Sequence, residues 1–339
     1  MTNNSKPSFA FLVVTYNHQE YILEHLESIK YLVQTYGAGW DIDLMISDDC
    51  SRDKTVELVN RWLAINAGLF RYIKAIYNSK NLGTCASLNN MLSQVVAERC
   101  KHTAGDDVYS FENIFELTKY NLDEVMVSGQ VLYLLGDQLK TNYITNFLVA
   151  ASQVIYQQDS LLHRFKHFSY NNAPNILYAT ESLLNPKVQS YLKAFDVIDD
   201  WALQIAIARE FPSRRFRLIE NVLVYYRRTL GSTYIVANQR FLLDKNRLYI
   251  DLINKESCLI ERIRLANRKY CLNVKNFWVK RILNLDSYFF LLSIVMRLPI
   301  ILGLTTKINF KINLNLNEHR YHYLKIRLLA NSFLLNHFD

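Results

Sequence analysis

Paired cysteines are missing from this chain. Its five, Cys50, Cys85, Cys100, Cys258 and Cys271, form an odd, scattered set with no CxxC spacing, which argues against a disulfide framework and a cysteine zinc site. Reduced thiols and a cytoplasmic location are the expectation. Also missing is a basic stretch leading into an apolar one at the N-terminus. Met1 to Ser8 is polar and a strand-like run already begins at Phe9, so secretion by a signal peptide is not indicated. Neither GxGxxG nor GxxxxGK followed by Ser or Thr occurs, which excludes the glycine-cradled phosphate sites of dinucleotide enzymes and P-loop NTPases. No internal repeat and no low-complexity tract stands out. Half of the 339 residues are apolar, enough to bury a substantial core in one large domain or two small ones, so the chain is neither disordered nor fibrous.

What is present is ordered along the chain. "FAFLVV" (9–14) is the continuous apolar run of a strand buried on both faces of a parallel sheet. Ile22, Leu26, Ile29 and Val33 then repeat at helical spacing, with Asn17 and Glu20 placed as a capping box. "IDLMI" (42–46) predicts a second strand and Val59, Trp62 and Leu63 a second helix. "YIKAI" (72–76) predicts a third strand, and Leu88, Met91, Leu92 and Val95 a third helix. This alternation argues for a doubly wound α/β fold, whose ligands bind beyond the carboxyl ends of the strands. "TYN" (15–17), "SDD" (47–49) and "GDD" (105–107) are expected to converge there. The stretch 111–195 is hard to parse by period. "DVIDDWALQIAIA" (196–208) opens a helix on an acidic turn, with Trp201, Ile205 and Ala208 on one face.

Asp106 and Asp107 pose a physical problem. Adjacent carboxylates repel each other and lose solvation if buried, so a positive partner is required. A hard divalent cation, Mn²⁺ or Mg²⁺, shared with a bound diphosphate would supply it; an exposed Asp-Asp turn or a helix cap is the plainer reading.

The segments "VVTYNHQEYILEHLESI", "ISDDCSRDKT", "NLGTCASLNNML" and "AGDDVYS", in this order, resemble the nucleotide-binding half of family 2 glycosyltransferases of the GT-A fold. The resemblance covers residues 8–110 well and continues more weakly through "DDWAL" and "YYRRTLGST" to about 233. It implies a Rossmann-like, mostly parallel sheet flanked by helices, with 1–110 as the nucleotide-binding half, 111–240 as the acceptor-binding half and 241–339 as a mainly helical basic extension. It implies that Thr15, Tyr16 and Asn17 line the base and ribose pocket, and that Asp48 or Asp49 hydrogen-bonds the nucleobase, often uracil. Asp106 matches the closing Asp of the DXD motif. Ala104 replaces its first Asp, which leaves Asp107 as the second acidic partner for the metal. Asp200, or else Asp199, is implied as the base of an inverting transfer, although both also suit a helix N-terminus. Trp201 is either a flat face for an acceptor sugar or core. Arg227 or Arg228 is the candidate diphosphate partner. Relatives often carry His where Thr229 stands, and the QxxRW motif of processive synthases is missing, so one sugar per encounter is the expectation.

Charge of one sign is concentrated at the end. Residues 1–260 carry 26 Lys/Arg against 27 Asp/Glu, and residues 261–339 carry 13 against 4. "YFFLLSIVMRLPIILGL" (288–304) has 17 residues interrupted by Arg297 and Pro299, short of the roughly 20 that a spanning helix needs. With the basic "RIRLANRKYCLNVKNFWVKR" (262–281), it suits a peripheral contact with anionic membrane; a helical cap or a homodimer surface competes. The expected partners are thus a nucleotide-sugar donor and a saccharide or lipid-linked oligosaccharide acceptor. Two alternatives oppose the enzyme: a protein that binds a nucleotide sugar without transferring it, and a nucleic-acid-binding protein using the basic tail. The second leaves the acidic clusters unexplained, because uncompensated carboxylates repel a phosphate backbone.

Overall fold

The computed structural model describes residues 6–119, 123–228 and 238–337. Four parallel strands form the main sheet: β1 (Ser8–Thr15), β2 (Asp41–Asp48), β3 (Tyr72–Tyr77) and β4 (Arg99–Ala104), in the order β3-β2-β1-β4. Every residue of β1 is buried. Its two faces serve different cores. Ala10, Leu12 and Val14 pack with α3 (Thr84–Leu92) and α9 (Asp199–Glu210), whereas Phe9, Phe11 and Val13 pack with α1 (Ile22–Tyr36) and α2 (Thr55–Asn66). A strand covered on both sides must be apolar at every position, which is why β1 carries no alternation.

One local expectation fails. The helix after β1 starts at Ile22 with Tyr21 as its cap and no side-chain capping bond. Asn17 instead sits at φ 54°, its backbone N–H donating to Ser51 Oγ (2.7 Å) and its Oδ1 accepting from Arg52 N (2.9 Å). The Asn side chain thus joins two rim loops, and the capping box is not made.

The stretch without a readable period contains short elements. Just ahead of it stands β5 (Val108–Tyr109), and within it are α4 (Ile114–Leu117), β6 (Glu124–Ser128), β7 (Leu132–Leu135), β8 (Gln138–Lys140), α5 (Tyr143–Ile155), α6 (Leu161–Lys166), β9 (Ile176–Tyr178), α7 (Thr180–Leu183) and α8 (Pro186–Leu192). With β10 (Arg215–Leu218) and β11 (Val224–Arg227) the strands build two further sheets, β10-β6-β9 and β5-β11-β7-β8. The buried Asn175 ties them together: its Oδ1 accepts from Leu223 N (2.8 Å) and Val224 N (3.0 Å), and its Nδ2 donates to Val224 O (2.9 Å).

Four helices close the chain: Asn238–Lys255, Leu259–Leu272, Phe277–Leu283 and the 53-residue Leu285–His337. The expected boundary at 240/241 falls inside the first of them. The last runs through Pro299 without a break, with Arg297 and Pro299 interrupting its apolar run. This helix is long and apolar enough to cross a membrane by length and composition. It has two regimes. From Ile301 onward, Thr305, Ile308, Ile312, His319, His322, Ile326, Ala330 and Phe333 make a buried stripe at helical spacing. Between Leu285 and Ile300, Asp286 and Phe290 are the buried residues.

Candidate active site

The strand register builds the site. Thr15 stands opposite Asp48, Asp48 opposite Tyr77, and Val14 opposite Ala104. The three loops that follow start level, and Asp49 N donates to Thr15 O (2.9 Å), Asn78 N to Asp48 O (2.9 Å) and Gly105 N to Val14 O (2.8 Å). All three polar clusters therefore meet on one rim, where an open parallel sheet receives its ligand.

Thr15 Oγ1 and His18 Nδ1 at this rim are among the polar atoms buried and unpartnered in the described residues. A Cβ on Gly105 would lie 3.1 Å from the first, 3.2 Å from the second and 2.9 Å from Ile22 Cδ1, so glycine keeps the backbone close beside them. Orphaned buried polar atoms cost stability and commonly mark where a ligand docks. Tyr16 beside them is 41% exposed.

Asp48 and Asp49 are both buried. Asp48 accepts from Ser51 N (2.8 Å) and Ser51 Oγ (2.5 Å), using two of its roughly four acceptor sites. Asp49 accepts from Leu82 N (2.7 Å), Gly83 N (2.8 Å) and Asn78 Nδ2 (3.0 Å), and so shapes the loop ahead of α3. Of the two, Asp48 has the more acceptor capacity left for a nucleobase.

The pair at 106 and 107 is split by the fold. Asp106 is half-buried, whereas Asp107 is 1% exposed and its Oδ1 accepts from Arg227 N (2.9 Å). Burial, and then the neighbouring Asp106 carboxylate, raise the Asp107 pKa well above the ordinary range. The buried Lys101 also acts on it electrostatically; burial pushes the Lys101 pKa down to about 8. The expectation that Asp107 is a second metal ligand is thus corrected, because its carboxylate is turned into the protein and held there. Arg227 needs the same correction as a diphosphate partner. Its guanidinium is buried, bonded to Glu24, donating through Nε to Asp106 O (2.7 Å) and lying over Tyr21 (4.6 Å). Arg228 is exposed, 4.9 Å from the centre of the Tyr133 ring. Thr229 lies outside the described residues.

The opening of α9 reaches the same rim. Asp199 Oδ2 lies 3.6 Å from His102 Nε2 on β4. Asp200 accepts from Trp201 N (2.7 Å); burial, and next the Asp199 charge, raise its pKa to about 6. Asp244, from the helix Asn238–Lys255, accepts from Asp196 N (2.8 Å) and Val197 N (2.7 Å). In the same helix Arg240 clamps Asp196 (2.5 Å) and Asn81 (2.6 Å) over Gly83. Trp201 donates Nε1 to Phe165 O (2.8 Å) and packs edge-on against Tyr249. It is partly buried and packs against the core, which favours the core over the acceptor platform of its two readings.

A hard cation shared with a diphosphate requires one or two carboxylates from the protein. Asp106, half-exposed on the rim, fits that need. Elsewhere, His163, His167 and Glu261 lie close together, but Glu261 is already paired with Lys166 (3.5 Å) and Arg264 (2.8 Å) and His167 with Asp286 (3.1 Å). That cluster is an ion-pair network. Sequence reasoning passed over Glu24, Lys101, His102, Arg240 and Asp244. A charged side chain inside a strand such as β4 was the one local signal for Lys101 and His102.

Parallel strands between helices, with an acidic rim at their carboxyl ends, define the GT-A architecture of nucleotide-sugar transferases. Residues 10–164 match the family described as Glycosyl transferase family 2. Among solved structures the fold is similar to S. aureus TarS 1–349 in complex with UDP-GlcNAc, with 14% identity, TM-score 0.55, and 95% of this chain and 92% of that one covered. It is similar too to the mannosyltransferase PcManGT from Pyrobaculum calidifontis in complex with GDP-Man and Mn²⁺, at 15% identity, TM-score 0.53, and 96% and 87% coverage. Against a longer S. aureus TarS chain, at 13% identity and TM-score 0.54, the match covers 92% of this chain and 54% of that one, so this chain spans about half its length. No curated protein matches the sequence.

Proposed function

We propose that this chain is an inverting glycosyltransferase that moves one hexose from a nucleotide sugar, a UDP-sugar, to a saccharide acceptor in bacterial capsule, O-antigen or other surface-glycan synthesis. The observation that carries the reading is that the loop holding Asp106 follows β4, the strand whose His102 lies 3.6 Å from Asp199, next to Asp200, whose pKa is raised to about 6. Thr15, Tyr16 and Asn17 border the base and ribose, with Asp48 behind them. Asp106 would hold Mn²⁺ or Mg²⁺, which when bound neutralises charge on the leaving diphosphate. Asp200 takes the proton of the acceptor hydroxyl as that oxygen attacks the sugar carbon; a base with a pKa of about 6 is ionised at neutral pH yet still basic enough for this task. Asp199, near His102, raises that basicity by its charge. Arg227 acts on the site indirectly, by fixing the backbone at Asp106.

The test is hydrolysis of a panel of nucleotide sugars with and without Mn²⁺. Metal-dependent release from UDP-sugars is expected, lost by about a hundredfold or more in Asp106→Ala and in Asp200→Asn, in the range for losing a group that stabilises developing charge. Donor binding that raises thermal stability without sugar release in any variant establishes the non-catalytic alternative instead.

The outer surface supports a lipid-linked acceptor at the inner face of the cell membrane. Trp278, Leu291, Leu292, Val295, Met296 and Ile300 are each between 56% and 68% exposed, and Arg262, Lys275 and Arg281 are exposed near them in sequence. Apolar side chains edged by cations suit an anionic bilayer surface. Asp286, anchored by His167 and Arg268 (3.1 Å each), fixes one end of the apolar segment to the domain, and the buried stripe from Ile301 fixes the other. The segment between spans about 24 Å, less than the roughly 30 Å of a hydrocarbon core, which favours shallow insertion over crossing. Full-length protein should float with anionic liposomes at low salt; folded protein that ignores them rules this out.

A further inference from the structure

Away from the rim, at the opposite end of α9 from Asp199 and Asp200, a cleft of about 480 Å³ opens between the residues after α5 and the turn that leads into β10. That volume is in the range of small-molecule sites. Its lining is unusual for a surface groove. Arg164, Arg214 and Arg215 converge on it with Gln153, Ser213 and Phe216, and one carboxylate, Asp159, also lines it. Asp159 faces His163 at 4.0 Å. Arg214 reaches Glu181 at 3.2 Å, and Arg215 is exposed.

Arg164 is the anomaly. It is 3% exposed, yet no carboxylate lies within ion-pair distance of it among the described residues. Its guanidinium donates to Gln153 Oε1 (3.1 Å) and, at a long 3.4 Å, to Asn171 Oδ1. It stacks over Phe216 at 3.8 Å, and its Nε is buried with no partner. Burial pushes its pKa down to about 9, the direction expected for a cation that lacks a counter-charge. A buried, unpaired guanidinium is costly, and natural proteins retain one where an anion completes it.

We propose that this cleft is a second binding site, for an oxyanion carried on a sugar. Phosphate or carboxylate oxygens pair with Arg164 and Arg215, sugar hydroxyls meet Gln153 and Ser213, and the site is separate from the donor rim. A glycan bearing phosphate or uronate groups would thereby be held at a distance from the catalytic end, as an anchor for acceptor or product.

The experiment compares thermal shift and calorimetric titration of the full chain with inorganic phosphate, glucose 6-phosphate and glucose, each at matched ionic strength set with chloride. The wild type should respond to both anions and not to glucose. Glucose 6-phosphate should bind at least tenfold more tightly than inorganic phosphate; equal affinity overturns the saccharide part. Arg164→Met, close in size and uncharged, should lose the response by tenfold or more while being at least as stable as the wild type without anion. Arg215→Gln, at an exposed position, should weaken it severalfold and serves as the second readout if the Met variant misfolds. No phosphate response in the wild type, or a response that survives both substitutions, overturns the proposal.

Discussion

The rim and the outer helices depart from the usual partition of residues in opposite directions. At the rim, charged groups are buried: Glu24, Lys101, Asp107 and Arg227 are each under 10% exposed. Between Leu259 and Ile300, large apolar side chains stand in solvent. Buried charge is stable when each group is paired and hydrogen-bonded. Exposed apolar surface of this extent is stable when another phase covers it. The rim meets its requirement from within the fold, through Arg227, Glu24 and the hydrogen bond to Asp107. The outer helices cannot, and their requirement points to a partner.

The largest effect expected from breaking this contrast is at Arg227. Arg227→Met takes the nearer cation from the buried Glu24, leaving it Arg327 at 3.9 Å, and removes the bond to the Asp106 carbonyl. Loss of about 3–5 kcal/mol is expected, as for breaking one side of a buried pair, read from the urea midpoint. A loss under about 1 kcal/mol, the value of a solvent-screened pair, would show that the network is effectively exposed.

Next in size is the pH dependence. Asp200 must be ionised to act as a base, so activity should fall about tenfold per pH unit below about 6 and be flat above it. The stability effect runs the other way. A carboxylate whose pKa is raised in the fold binds its proton more readily when native, so its contribution weakens as pH rises from about 4 to about 6 and stays weak above. Asp200→Asn should therefore be inactive and yet no less stable than the wild type at pH 7. A variant less stable at pH 7 would mean that Asp200 serves chiefly to hold the start of α9.

These contrasts also explain what the sequence discloses. β1 and β2 are legible because a strand covered on both faces leaves a largely apolar run, β3 is a half-buried edge strand, and the rim follows because register brings Thr15, Asp48 and Tyr77 level. The GT-A architecture is therefore readable from the first hundred residues. What hides is long-range pairing. Asp107 binds a backbone N–H 120 residues away, and Glu24 an Arg 203 residues away; no local pattern separates the inward Asp107 from the outward Asp106. Between 111 and 195 the described strands have three to five residues, too few for a period to emerge. Pro299 stands inside a helix anchored on both sides of it, which absorbs its local cost.

The smallest effect tests whether the last helix belongs to the site or merely rests on it. Tyr323, 1% exposed on that helix, places its hydroxyl 3.3 and 3.5 Å from the two oxygens of Glu24, which in turn holds Arg227 against the Asp106 loop. Tyr323→Phe keeps the ring in its apolar contacts and removes the hydroxyl's hydrogen bonds with Glu24 and Arg227, a loss of about 1.5–3 kcal/mol. If the helix positions the rim, the Mn²⁺ concentration needed for half-maximal donor hydrolysis should rise severalfold, because the backbone at Asp106 loosens. A variant with the expected loss of stability and an unchanged Mn²⁺ requirement would confine the helix to packing.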